Sequence, residues 1–255
     1  MSMGSVTVLG EARTGCLLCG AELVYLAAQE QMACAGCGAL HSSAARCTAG
    51  HFVCDACHSG SAKDVIERHC RETDERDPVA IATALMRHPK LKMHGPEHHF
   101  LVPAALLAAY RNQRGDRRQL SAHLAEARRR SEPLGGGFCG IQGACGAGIG
   151  AGIYVSIVTG STPLSPGPRG LANEMSSRAL AIIAKSGGAR CCKRDSALAL
   201  LAAVRFTRER LGVPLKARAP SCELSAVNTE CLRDRCPFFP RAKESEPRLV
   251  GQART

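Results

Sequence analysis

Apolar positions recur at helical spacing along the chain from Asp77 onward. In the first such segment Asp77 and Pro78 have the residue types of an N-cap and a first helical position. The apolar residues that follow fall on one face of a helix: Val79, Ala82, Leu85 and Met86. The pattern therefore predicts a helix that begins at Pro78.

Five further segments favour helices. They are bounded by glycine, proline or terminal arginines, which are typical of helix ends. In chain order they run from Gly95-Pro96 to just before Gly115, from near Asp116 to Arg128–Arg130, through "ACGAGIGAGIYVSIVTG", from Pro168 to Gly187, and through "SALALLAAVRFTRERL" to Gly212. The sequence thus predicts a mainly α fold with about six helices.

The stretch "ACGAGIGAGIYVSIVTG" resembles a membrane span in its lack of charge. At about 17 residues it lies at the lower limit for crossing a bilayer. Its glycines and alanines suit close packing between helices in a protein core. We therefore predict a buried helix here and no membrane segment.

The segment before these helices has a different composition. Residues 16–72 are dense in Cys, His and Gly, with short strand-like pieces such as "AELVYLA", so metal rather than an apolar core would stabilise them. We predict a zinc-ribbon-like double metal module over 16–72 and a helical Cys/His-containing domain over 77–240. Residues 1–15 are expected to be flexible and the polar residues 241–255 disordered.

Cysteine content suggests metal chemistry in a reducing compartment. No basic start followed by an apolar run marks a signal peptide, which favours the cytoplasm. Fifteen cysteines in a cytoplasmic protein are candidates for metal ligation or thiol chemistry rather than for disulfides. Only 4% of residues are aromatic and none is Trp, which favours small packed helices over an aromatic-rich sheet core.

Two C-x-x-C pairs give the strongest local signal. Such a pair turns the backbone so that two sulfur atoms converge, and two pairs complete the tetrahedron of a structural zinc site, here Cys16, Cys19, Cys34 and Cys37. A second zinc site would use Cys47, His51, Cys54 and Cys57, with His58, His69 and Cys70 also near in sequence. Spacing alone does not exclude the alternative in which the two sites are interleaved, each taking alternate pairs.

Seven more cysteines lie in the helical part. Cys236 is followed by Pro237, as in some iron–sulfur ligand runs, and Cys191 and Cys192 stand beside basic residues ahead of a helix, where thiolates are favoured. We predict an iron–sulfur cluster or other metal–thiolate site from Cys139, Cys145, Cys192, Cys222, Cys231 and Cys236, with Cys191 and Cys192 as a possible nucleophile pair. The alternative is that these are small buried side chains.

The motif "HGPEHHFLVPA" places Glu97, His98 and His99 in the first turn of a helix. The positive end of the helix dipole stabilises a carboxylate and destabilises an imidazolium ion. The histidines would therefore be neutral and could act as metal ligands or general bases. Pro103 also deprives the His99 carbonyl of its helical partner. Alternatively, Glu97 caps the turn and the histidines bond to neighbouring helices.

The net charge of +11 would by itself indicate a polyanionic partner. Thiolates bound to two zinc ions and one cluster would remove roughly half of this charge. A zinc-ribbon nucleic-acid adaptor is the alternative function, with an arginine-rich third helix on phosphate. The arginines that support it are Arg111, Arg114, Arg117, Arg118 and Arg128–Arg130. The scarcity of stacking aromatics disfavours single-strand recognition.

Several motifs together resemble an uncharacterised prokaryotic domain family of unknown function. They are "GHFVCDACH", "HGPEHHFLVPA", "CGIQGACGAGIGAGI", "CCKR" and "NTECLRDRCPFF", which extend from Cys47 to Pro240. The resemblance implies relatives that stand alone or beside methyltransferase-like or radical-SAM modules. It thus implies a possible role as an accessory or metal-delivery subunit of a SAM-dependent enzyme. The residues themselves favour a metalloprotein with redox or metal-dependent activity toward an unidentified small molecule or redox partner.

Overall fold

The computed structural model describes residues 16, 18–19, 21–54, 57 and 61–240. The expectations for residues 1–15 and 241–255, and for His58 as a ligand, lie outside these described residues. None of the helices described is long and apolar enough to cross a bilayer.

A two-stranded antiparallel sheet forms the N-terminal module. Strand β1 covers Leu23–Ala33 and β2 covers Leu40–Cys47. The strands pair from Leu23 opposite Cys47 to Ala33 opposite Leu40, with an irregularity between Tyr25 and Glu30. Side chains along both strands are largely exposed, so the sheet has no apolar core of its own.

The remainder is helical, which confirms the predicted mainly α class. Eight α-helices occur in the described residues, two more than expected, because a helix precedes Asp77 and a four-residue turn precedes the glycine-rich helix. They are α1 (Ala62–Glu72), α2 (Pro78–Met86), α3 (Glu97–Arg114), α4 (Leu120–Ser131), α5 (Phe138–Ile141), α6 (Gly146–Val158), α7 (Pro166–Ser186) and α8 (Cys192–Leu211). A 3₁₀ turn at Arg233–Arg235 lies in the C-terminal segment.

Helix α3 is the centre of the helical domain. Every residue from Glu97 to Asn112 is buried, because five helices surround it: α1, α2, α4, α6 and α8. A helix buried on all sides cannot keep a polar face, which explains why apolar residues continue around it. It places the Glu97 turn inside the protein, next to the first turn of α8.

Helix α1 belongs to this helical core, although we assigned its residues to the metal module. Val65, Ile66 and Cys70 are buried in the same apolar cluster as Phe100 and Leu106 of α3. Burial raises the pKa of the Cys70 thiol, which keeps it a neutral core side chain. Cys70 is therefore a packing residue.

Alternate glycines of α6 face two different helices. A Cβ atom on Gly150 would lie 2.8 Å from Pro103 Cδ and 2.9 Å from the His99 carbonyl oxygen, so this face of α6 packs directly on the α3 backbone. On another face, a Cβ on Gly152 would lie 3.1 Å from the Ala172 carbonyl oxygen in α7. The glycines serve close helix packing, as predicted.

The Asp77 cap holds the start of α2 to the C-terminal segment. Its carboxylate accepts hydrogen bonds from the N–H groups of Val79 (2.8 Å) and Ala80 (3.1 Å), and the second oxygen accepts one from the Arg218 N–H at 2.6 Å. Because Asp77 is buried, replacement by alanine would leave three donors without this acceptor.

We expect Asp77→Ala to lower the free energy of unfolding by about 2 kcal/mol, measured by urea denaturation. Asp77→Asn keeps an acceptor oxygen and should lose less. Equal stability of the alanine variant and the wild type would contradict a structural role for this cap.

Candidate metal centres

Eight side chains of the N-terminal module converge in two groups of four. One group is Cys16, Cys19, Cys47 and His51, and the other is Cys34, Cys37, Cys54 and Cys57. Within each group the donor atoms all lie within 4.8 Å of one another, so each could hold a metal ion. These are the eight predicted ligands, but they pair in the interleaved manner rather than as a Cys16, Cys19, Cys34 and Cys37 ribbon.

Distances inside the groups fit tetrahedral coordination. Bonds of 2.3 Å to a tetrahedral zinc ion would separate two sulfur atoms by about 3.8 Å. The Cys19 and Cys47 sulfur atoms are 3.9 Å apart, as are those of Cys37 and Cys54, and His51 Nδ1 is 3.6 Å from the Cys47 sulfur. Each donor set is thus arranged for one ion.

The hairpin explains why the groups interleave. Strand pairing puts the start of β1, which follows the first C-x-x-C pair, beside the end of β2 at Cys47. The second pair, Cys34 and Cys37, lies at the opposite end of the sheet, in the turn between the strands. A ribbon would need both pairs at one end, which the antiparallel strands prevent.

Backbone N–H groups hold a sulfur atom of the second group, which consists of Cys34, Cys37, Cys54 and Cys57. The Cys34 sulfur accepts hydrogen bonds from the N–H groups of Gly36 and Cys54, both at 3.3 Å. Burial opposes ionisation of this thiol, but the surrounding N–H donors outweigh it and lower its pKa to about 6. One sulfur of this group is therefore prepared for the thiolate form that metal binding requires.

This second ligand group also contacts the helical domain. Arg68 of α1 donates to the Cys57 sulfur at 2.8 Å. Gly36 packs against the His88 imidazole, since a Cβ on Gly36 would lie 2.7 Å from its Cδ2 atom. The metal module is thus attached to the helices through Cys57 and the Gly36 turn.

Four of the eight remaining cysteines line one cavity in the helical domain. The cavity measures about 70 Å³ and lies between the first turn of α8, the end of α2 and the C-terminal segment. Its thiols come from one residue beside α8 and three in the C-terminal segment: Cys191, Cys222, Cys231 and Cys236. Folding therefore brings together cysteines separated by up to 45 residues.

The adjacent Cys191 and Cys192 have different environments. The Cys191 sulfur accepts a hydrogen bond from the Asn228 side chain at 3.5 Å, on the side of the four-cysteine cavity. Burial raises the pKa of Cys192, while the Gly95 N–H beside its sulfur acts in the opposite direction. The pair is therefore divided between two surroundings.

Cys139 and Cys145 line a different, wider cleft of about 800 Å³ on the α5 side of α8. The Cys145 sulfur lies 3.9 Å from Asp195 Oδ2. Arg194 borders both this cleft and the four-cysteine cavity, and its Nε donates to Asp195 Oδ1 at 3.0 Å. The structure thus does not place Cys139 and Cys145 with the C-terminal cysteines, as one predicted cluster would require.

The first turn of α3, which carries Glu97 and His98, lies next to the first turn of α8. The Lys92 N–H donates to Glu97 Oε1 at 2.9 Å, and His98 Nδ1 lies 3.2 Å from the Gly95 carbonyl oxygen. Burial, aided by the charge of Lys193, lowers the pKa of His98 to about 3, so His98 is neutral as predicted. The main cause is burial rather than the helix dipole. Its Nε2 atom is buried with no hydrogen-bond partner in the described residues.

Lys193 is the buried cation of the four-cysteine cavity. It is 6% exposed, and its ammonium group has no hydrogen-bond partner within the described part of the chain. Burial lowers its pKa to about 8, although the negative charges of Glu97 and nearby cysteines oppose this. An unpaired buried ammonium beside four thiols favours a negatively charged occupant.

His99 has a packing role. Its Nδ1 atom lies 2.8 Å from the Leu134 carbonyl oxygen, and its ring packs on Gly146 of α6. Its own carbonyl, freed by Pro103, accepts a hydrogen bond from Ser131 Oγ at 3.3 Å. These contacts match the alternative in which this histidine bonds to neighbouring helices.

A polar group that the sequence did not single out supports the cavity wall. His94 Nε2 lies 3.2 Å from Asn228 Oδ1 and 3.1 Å from Glu230 Oε2. Asn228 in turn donates to the Cys191 sulfur. His94 begins the "HGPEHHFLVPA" motif, but the polar "NTE" that precedes Cys231 is by itself typical of a turn and did not indicate Asn228 or Glu230 as its partners.

Most of the arginines that would bind phosphate pair with carboxylates of the same chain. Arg128 contacts Asp64 (2.7 Å) and Glu67 (2.9 Å), and Arg129 and Arg130 both contact Glu126. Arg117 pairs with Asp74 and Arg118 with Asp116, and Arg111 is buried. Side chains held by carboxylates offer little positive potential to phosphates, which weakens the case for a nucleic-acid adaptor.

Comparison with known proteins gives one match. A model described as a family of unknown function (DUF5714) matches residues 66–239, which include all eight cysteines of the helical half and exclude both N-terminal ligand groups. No curated protein and no solved structure matches the chain. Because the match covers more than half of its length, this chain belongs to the DUF5714 family, whose function is unknown.

Proposed function

We propose that this protein is an iron–sulfur redox protein with two structural zinc ions. The zinc ions would fold the N-terminal module, and Cys191, Cys222, Cys231 and Cys236 would hold the cluster in the helical domain. The observation that carries the proposal is the single cavity lined by these four thiols.

Sulfur spacing favours a cluster over a single ion in this cavity. Among the described residues, only the two N-terminal groups bring three or more donor atoms within 4.8 Å of one another. A tetrahedral zinc ion needs that closeness, whereas an inorganic iron–sulfur core lies between its ligands and holds their sulfur atoms farther apart. Four cysteines are also the usual ligand number for such a core.

Charge and hydrogen bonding in the cavity suit an anionic cluster. A core bound by four thiolates carries net negative charge, which the Lys193 ammonium would offset. The Asn228 side chain donates to the Cys191 sulfur, and the Arg233 N–H donates to the Cys231 sulfur at 3.4 Å. Donors to cluster sulfur atoms raise the reduction potential, so these groups would help to set it.

The Glu97 turn would supply proton chemistry next to the cluster. Neutral His98 has a free Nε2 atom, and the Glu97 carboxylate lies beside it, with 3.8 Å between Glu97 Oε1 and His98 Nδ1. An electron added to a nearby redox centre would raise the low pKa of His98, so that its imidazole could take up a proton when the centre is reduced and give it back on oxidation. We propose this role for Glu97 and His98 toward a small-molecule or protein redox partner.

Anaerobic purification tests the cluster. After reconstitution with ferrous iron and sulfide, the wild type should be brown and contain iron and acid-labile sulfide. The Cys231→Ser/Cys236→Ser variant should lose the four-cysteine cluster, while Cys70→Ala, which alters a buried core cysteine, should retain the wild-type iron content. A colourless wild type that contains only zinc would overturn the proposal.

A further inference from the structure

Apart from the core residue Cys70, the seven cysteines of the helical domain divide into two sets at the first turn of α8. Cys191 belongs with the three C-terminal cysteines, as described above. Cys192 is the first residue of α8. Its sulfur lies beside the Gly95 N–H, away from the four-cysteine cavity. Three of these seven thus remain outside the proposed cluster: Cys139, Cys145 and Cys192.

Three separate elements bring these remaining thiols to one region. Cys139 lies on the short helix α5, Cys145 is the N-cap of α6, and Cys192 begins α8. Asp195 stands three residues after Cys192 on the same face of α8, and it lines the cleft together with Cys139 and Cys145. Cys192 therefore lies at the edge of the region that holds the other two thiols. Asp195 adds a carboxylate at 3.9 Å from the Cys145 sulfur.

The cleft beside them is open and partly basic. Cys139, Cys145 and Asp195 line it together with Arg190 and Arg194. Helix α5 and the residues that follow it leave space, since a Cβ on Gly140 or Gly143 would meet nothing within 4 Å. A small molecule could therefore reach Cys139 and Cys145 from this side.

We propose that Cys139, Cys145 and Cys192 hold a second iron–sulfur cluster with one iron open to the cleft, where a small anionic molecule binds. Three cysteines leave one iron of a four-iron cluster without a thiolate. The Arg190 side chain at the cleft would favour an anion such as a carboxylate over a neutral ligand. This inference extends the proposed function, but it depends on different cysteines.

Paired double variants separate the two centres. The full-length wild type, Cys139→Ser/Cys145→Ser and Cys231→Ser/Cys236→Ser are reconstituted anaerobically with iron and sulfide, and their iron contents compared. Each double variant should retain about half of the wild-type iron. Unchanged zinc content and helical circular dichroism would show that a variant is folded.

The possible outcomes distinguish the proposals. If Cys139→Ser/Cys145→Ser leaves the iron content unchanged, the second cluster is wrong while the first stands. If only this variant loses iron, the four-cysteine cluster is wrong and the second stands. Absence of iron from all three proteins would overturn both.

A spectroscopic probe tests the open iron. Cyanide should change the electron paramagnetic resonance spectrum of the reduced Cys231→Ser/Cys236→Ser variant, in which only the three-cysteine cluster remains. It should leave the reduced Cys139→Ser/Cys145→Ser variant unchanged, since four thiolates occupy every iron there. Lack of any change in the first variant would contradict an open position.

Discussion

A Cys19→Ser/Cys37→Ser variant is expected to lose both zinc ions, whereas Cys19→Ser/Cys47→Ser should lose only one. The first pair removes a ligand from each interleaved group, and the second removes two ligands from the same group. Structural zinc sites contribute on the order of 10 kcal/mol to folding at neutral pH, so loss of a thiolate from a site should weaken binding by several orders of magnitude. Zinc retained after dialysis against a chelator measures the result.

The two variants make this test specific for the pairing. A ribbon formed by the first two C-x-x-C pairs would give the reverse pattern, because Cys19 and Cys37 would then share one ion. Loss of a single zinc from Cys19→Ser/Cys37→Ser would therefore contradict the interleaved sites. Both variants carry two Cys→Ser changes, which makes each the control for the other.

Zinc removal should also unfold the N-terminal module selectively. An isolated two-stranded hairpin is marginally stable in water, and here Tyr25 (80% exposed) and Leu40 (69% exposed) do not pack into a core. Limited proteolysis should then cleave within residues 21–54 of the zinc-free protein. The helical domain should remain resistant, since its core is separate.

Sequence alone identified the eight candidate metal ligands but not how they group in space. Ligand type and local spacing are encoded in C-x-x-C pairs, which bend the backbone in the same way wherever they occur. Which two pairs meet depends on the hairpin register that sets Leu23 opposite Cys47. An alternation of inward and outward side chains along β1 could have predicted this register, but the irregularity between Tyr25 and Glu30 interrupts it.

Helix ends were predictable where single residues determine them. Asp77 caps α2, and Gly115 and Gly212 end α3 and α8 in the left-handed conformation. We predicted the start of α8 too late in the sequence. Three charged residues follow Cys192, and such a run indicates exposed chain rather than a buried helical turn. Lys193 and Asp195 are buried there, and only tertiary contacts make that possible.

The division of the cysteines could not be predicted for a related reason. Cys191 and Cys192 are adjacent and chemically identical, so spacing suggests one shared site. Their separation arises because Cys191 is the extended N-cap and Cys192 the first helical residue, which directs the two side chains differently. The sequence indicates that a helix begins nearby, but it does not indicate which parts of the chain pack on either side of that helix start.

Close packing between α6 and α3 gives the last prediction. Gly150→Leu should lower the free energy of unfolding by about 3 kcal/mol or more, because its Cβ would approach the His99 carbonyl oxygen to 2.9 Å and the two helices would have to separate. For a chain of this size, such a loss corresponds to a fall in Tm on the order of 10 °C. Thermal unfolding followed by circular dichroism measures it.

Gly170→Leu is the matched control for this substitution. Gly170 lies within helix α7, is exposed, and a Cβ there would meet nothing within 4 Å. Because leucine has a higher helix propensity than glycine, this variant should be as stable as the wild type or up to about 1 kcal/mol more stable. Similar Tm values for the two variants would show that α6 can accept side chains at Gly150. The small residues of α6 would then need a reason other than the approach of α3.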